Sequence, residues 1–134
     1  MQVWIAQVPF VEGEFGTGPV DLYVATSALN GPAGFDVPGG SGYLFNRAMV
    51  WFSEHANSAT SNDERHEHII GAVKALNNLA VWCMTEYDSP DRGQSAMGAL
   101  ERAVSLALDH LDGTELYAGV LFNIGILLGE IGEA

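Results

Sequence analysis

The sequence predicts an all-α protein, an antiparallel bundle of at least four helices preceded by an irregular segment. Three observations predict it. From Ser41 onward, apolar residues recur at spacings of three and four, the period of a helix with one buried face. The gaps between these stripes hold residues that start and stop helices. Four of the five prolines, and a dense run of glycines, lie before residue 41. With 134 residues and 48% hydrophobic content, the chain reads as a single domain, 1–134. Residues 1–41 form an N-terminal wrapping segment and 42–134 the helical bundle.

In chain order, Val3, Ile5, Val8 and Phe10 suggest an extended piece with a break in phase, and short strands are an option for this segment. "PVDLYVATSALNG" suits either a short helix or a strand. Pro19 can open a helix and Asn30-Gly31 can close it, which favours the helix. Residues 31–41 read as a loop. Ser41 can cap a helix running to about Ala56, with Leu44, Phe45, Ala48, Trp51, Phe52 and His55 on its apolar stripe. After "NSATSN", Ser61 or Asn62 caps the next helix, and Asp63 and Glu64 suit the positive end of its dipole. Its stripe is His66, Ile69, Ile70, Val73, Leu76, Leu79, Ala80, Cys83 and Tyr87, while Glu67, Lys74 and Asn78 are expected on the opposite, wet side. Pro90 stops it. A further helix covers about 92–111, closed by Gly113, and Thr114 caps a last one.

The last helix is apolar nearly all round. Its apolar run, interrupted by Asn123, is too short to cross a bilayer comfortably. Such a helix belongs in the centre of a core or at an oligomer interface. Gly125 and Gly129 sit four apart on one face, which allows another helix to approach closely, inside the fold or from a second copy. A homo-oligomer through this helix is therefore one expectation.

Net charge is −12, from 17 acids against five scattered bases. Binding nucleic acid requires cations to neutralise phosphates, so direct nucleic-acid binding is not expected. The single cysteine, Cys83, excludes an internal disulfide framework and a thiolate zinc cluster. The N-terminus lacks the basic and long apolar regions of a signal peptide, so a cytoplasmic protein without membrane contact is expected.

Up-down-up-down topology gathers the polar residues. The end of one helix, the start of the next, the end of the third and the start of the fourth share one pole. That pole holds all four histidines and seven of the 17 acids: Glu54, Asp63, Glu64, Glu67, Asp109, Asp112 and Glu115, against one base, Arg65. His66 and His68 are about 200° apart around a helix, so they cannot chelate one ion together. "HEHII" is not the His-Glu-x-x-His zinc motif. His55 and His66 both continue apolar stripes and come from adjacent helices, so they are expected to meet. With Glu54, Glu67 or His110 as the further ligand, they make a candidate site for a divalent metal ion. Glu64, Asp109, Asp112 and Glu115 are the candidate interaction residues.

Two short stretches resemble known families. "LFNIGILLGEIG" is similar to the first helix of a tetratricopeptide repeat, with Leu121, Ile124, Gly125, Leu128 and Gly132 at that motif's spacing. The likeness covers about twelve residues and no ~34-residue period recurs, so it implies helix packing and no function. Glu64-x-x-Glu67 and Asp88-x-x-Asp91 resemble the paired acidic motifs with which all-α nucleotide pyrophosphohydrolases of the MazG type bind Mg²⁺. Here the second pair straddles Pro90 and the expected topology puts it at the opposite pole.

Two function classes remain. The first is a small acidic interaction protein that binds and blocks or neutralises a more basic protein partner, of the inhibitor, immunity or anti-defence type. The second is a metal-binding protein or metal-dependent hydrolase that uses the His/carboxylate pole. No phosphate loop and no nucleophile elbow is present. The sequence does not decide whether the chain is an enzyme.

Overall fold

The computed structural model describes residues 2–9, 16–30, 40–86 and 90–133. Five helices follow an extended opening segment: α1 (Thr17–Asn30), α2 (Gly40–Asn57), α3 (Asn62–Thr85), α4 (Arg92–His110) and α5 (Glu115–Glu133). The helical bundle read from the sequence is what the chain forms, and 17–30 takes the helical option. Among the described residues there is no strand. Most of the expected 31–41 loop, and Phe10 and Tyr87, lie outside them.

Helix ends follow local chemistry. The Ser61 hydroxyl accepts from the Glu64 amide at 3.1 Å, and the Thr114 hydroxyl accepts from the Tyr117 amide at 3.2 Å. Both satisfy donors that a helix start leaves open. Gly113 takes φ +81°, the left-handed turn that lets the chain reverse between α4 and α5.

The 24-residue α3 is the axis of the fold, with α2 and α4 packed along it and α1 and α5 touching it. Phe45, Val73, Leu76, Val81, Leu100 and Val120 are fully enclosed. Small residues set the spacing. Ala72, Ala75 and Ala80 on α3 and Ala96, Ala99, Ala103 and Ala107 on α4 are buried. A Cβ at Gly71 would run into the Phe52 ring, so the absence of a side chain there is what lets α2 lie close to α3.

The arrangement departs from expectation at both ends of the chain. The opening segment does not merely wrap the bundle. Ala6 is completely buried, and the segment is bonded to α3 and α5. Conversely, α5 is not central. It buries Val120, Asn123 and Leu127, while Leu121, Phe122 and Leu128 are about half exposed, at 43%, 53% and 55%. No helix among the described residues is long and apolar enough to cross a membrane.

Candidate functional site

Three structures meet near the pole where α2 ends and α3 and α5 begin. These are the acidic surface, an imidazole–indole cluster, and the groove that holds residues 2–9.

Glu54, Asp63, Glu64, Glu67, Asp109, Asp112 and Glu115 are all exposed. His66 lines a cleft together with Leu111, Thr114 and Glu115, which puts the starts of α3 and α5 side by side. Among the described residues of this surface, Glu64 alone stands within ion-pair distance of a basic side chain, the His68 ring at 3.9 Å. Two cations border the surface, Lys74 in the clefts that hold Glu67 and Glu115, and Arg65, which faces backbone. Its guanidinium donates to the Ala56 and Ala59 carbonyls at 3.4 and 3.5 Å, tying the end of α2 to α3. Glu64 also accepts from the Thr60 hydroxyl and amide at 3.3 and 3.4 Å. The other strong ion pair among the described residues, Arg47 with Asp21, joins α2 to α1 away from this pole. The hydrogen bonds and charge of Asp21 raise the Arg47 pKa, so the guanidinium keeps its charge.

The candidate metal ligands do not come together. His55 donates through Nδ1–H to the Trp51 carbonyl, 2.8 Å away, and stacks on the Trp51 indole with ring centroids 3.7 Å apart. Its imidazole neighbour is His68, at 5.7 Å between centroids, and not His66. His66 is exposed in the cleft beside the opening segment, Glu67 lines a different cleft with Val8, Pro9 and Lys74, and His110 is exposed at the end of α4. Among the described residues no group of three or more His, Cys, Asp and Glu side chains is placed to hold a metal ion. Of the MazG-like acidic pairs, Glu64 and Glu67 are exposed at the start of α3, and Asp88 lies outside the described residues.

The groove is a feature the sequence reading missed. Asn77 and Asn78 on α3 and Asn123 on α5 are fully buried, although Asn78 was expected on the wet side. Their amides bind the backbone of the extended segment at alternate residues. Asn123 accepts from the Trp4 amide at 2.8 Å and donates to the Trp4 carbonyl at 2.7 Å, where Asn77 also donates at 3.2 Å. Asn78 accepts from the Ala6 amide at 2.8 Å and donates to the Ala6 carbonyl at 3.0 Å. Asn123 donates to Asn77 at 2.8 Å, Asn77 donates to Asn78 at 3.1 Å, and Asn78 donates to the Thr26 hydroxyl at 3.0 Å. An asparagine offers two donors and one carbonyl oxygen. Here every one is used, and no buried side-chain polar atom among the described residues lacks a partner. Side-chain amides thus stand in for a neighbouring strand. Because side chains alternate along an extended chain, residues 4 and 6 present their backbone groups to the same side. The Trp4 indole lies against Gly119, where a Cβ would overlap it.

Lys74 borders the groove. Its ammonium donates to the Gln7 carbonyl at 3.0 Å, and burial lowers its pKa by penalising the charged form. Cys83 is enclosed in the core, its thiol pushed up to about 11 by burial and by the charge of Asp91, so it is a packing residue and not a nucleophile.

Compared with known proteins, the chain matches no family model, no curated protein and no solved structure.

Proposed function

We propose that this protein is a small acidic interaction module that binds a more basic protein through the pole formed by Glu64, Asp109, Asp112 and Glu115. The observation that supports this reading is the imbalance at that pole. Seven exposed carboxylates share it, and the two cations that border it, Arg65 and Lys74, are both engaged with backbone carbonyls. Unpaired surface carboxylates repel one another, and a basic partner relieves that repulsion while being steered into place. The fold presents these groups on helix ends held by the core, a rigid display and not a loop that must be ordered on binding. Blocking or neutralising the partner is the action this surface suits, because covering a basic face needs only contact and charge complementarity.

The test compares two variants of equal net charge. One neutralises the pole with Asp109→Asn, Asp112→Asn and Glu115→Gln. The other neutralises exposed acids elsewhere, with Glu86→Gln, Glu101→Gln and Glu130→Gln. The readout is retention of proteins from the source cell on each immobilised variant, in low and high salt. The pole variant should lose a salt-sensitive, basic partner that the control variant keeps. Equal retention by both would defeat the proposal, since net charge alone would then explain the binding.

A further inference from the structure

We propose that α5 is a pairing face, and that its partner is the α5 of a second copy, running antiparallel about a two-fold axis at Gly125. Among the described residues nothing covers this face. Leu121, Phe122 and Leu128 are about half exposed, and nothing lies within 4 Å of where a Cβ would stand at Gly125 or Gly129. Two glycines inside an exposed helix lower its helix propensity and gain nothing from their own fold in return.

The sequence of the face is complementary to itself. Antiparallel pairing about Gly125 sets residues equally far on either side of it opposite one another. Leu121 then meets Gly129, a large side chain over a bare backbone. Phe122 meets Leu128, apolar on apolar. Ala118 meets Gly132, small against small. The Leu121–Gly129 pairs, one on each side of the axis, set a large group into a gap, as close helix packing requires.

Charge selects this partner and this orientation. The protein carries −12, yet residues 116–129 contain no charged side chain, so the face suits an uncharged helix such as itself. Parallel pairing would bring two acidic poles together. Antiparallel pairing leaves the two Glu115 residues roughly 30 Å apart, several screening lengths at physiological salt. Half-exposed side chains of this size leave on the order of 100 Å² each. With the small residues between them, two copies bury roughly 600–800 Å² in total, below the ~1,000 Å² of a stable specific interface and in the range of weak, transient contacts. The dimer is therefore reversible. It would carry two acidic poles at opposite ends, although the pairing does not depend on what those poles bind.

Sedimentation velocity of the full chain at up to about 100 μM tests it, together with single-cysteine cross-linking. The mass should rise from 14.3 kDa towards twice that value with concentration. Leu128→Glu should hold the protein as a folded monomer, because the position is exposed and its substitution spares the core. Under mild oxidation Gly125→Cys should cross-link to itself, while Ala118→Cys, roughly 21 Å from its twin in the pair, should not. Buried Cys83 serves as the background. A monomer at every concentration, a dimer that survives Leu128→Glu, or cross-linking at Ala118 as ready as at Gly125 would each overturn the proposal.

Discussion

Replacing Asn78 with Leu keeps the volume of the side chain and removes its polarity. Four groups then lose their partner at once: the Ala6 amide, the Ala6 carbonyl, the Thr26 hydroxyl and one Asn77 donor. Ala6, Asn77 and Thr26 are 0%, 0% and 2% exposed, so water cannot replace what is lost. Each buried group left without a partner costs about 1–3 kcal/mol. Two terms reduce the sum: the Thr26 hydroxyl can rotate to another acceptor, and the leucine gains apolar burial of about 1–2 kcal/mol. The net expectation is a loss of about 3–4 kcal/mol, a large part of the ~5–15 kcal/mol that holds a domain together. Urea unfolding followed by circular dichroism and tryptophan fluorescence measures it. Asn123→Leu should behave similarly, since it frees the Trp4 amide and weakens the hold on the Trp4 carbonyl. The double variant should cost less than the sum of the two by about 1–2 kcal/mol, because either change alone loosens the same segment. A cost below about 1 kcal/mol for Asn78→Leu, the range of ordinary surface changes, would refute the reasoning. So would strict additivity in the double variant.

Two further outcomes are expected. Gly71→Ala drives a Cβ into the Phe52 ring and should destabilise by about 1–3 kcal/mol, whereas Gly98→Ala, with open space around it, should stabilise by about 0.5–1 kcal/mol; thermal melts of the two variants would show opposite shifts. The Cys83 thiol keeps its proton in the folded chain up to about 11, above its ordinary value of 9.0, so stability should be full below about pH 9 and fall as pH rises towards 11. Cys83→Ala should flatten that alkaline decline in urea titrations taken across the window, and native Cys83 should resist thiol reagents at neutral pH.

Helices were legible in the sequence because their causes are local. Ser61, Thr114 and Gly113 act within one turn of where they stand, and the stripe from Leu44 to Phe52 buries the face its spacing implies. The acidic pole followed from topology alone, since short connections force neighbouring helices to alternate. What failed is equally specific. His66 was set on the buried stripe because it stands three and four residues before Ile69 and Ile70. Yet α3 is enclosed almost all round from Ile69 to Met84, and a stripe that has no opposite side cannot fix the rotation of its first turn. His68 is the histidine that turns inward. Asn78 was put in water because it is polar. Its partner is a backbone segment 72 residues earlier, and no local period carries information about that pairing. One signal was present. Adjacent asparagines in the middle of a long apolar helix, and a lone Asn123 in a charge-free one, are polar groups that a core must satisfy. The extended Val3–Val8 stretch was the only piece without a place. The last helix was misjudged for a related reason: apolar residues on every face say that it must be covered, not by what.

The acidic pole carries the functional account, and site-specific photo-cross-linking in the source cell tests it most directly. A photoreactive amino acid at exposed Asp112 reports on the pole, and one at Glu86, at the far end of α3, reports on the opposite end. The account predicts a discrete adduct from position 112, absent from position 86, whose captured protein carries net positive charge. Adducts of equal yield from both positions, or a captured partner that is itself acidic, would contradict it.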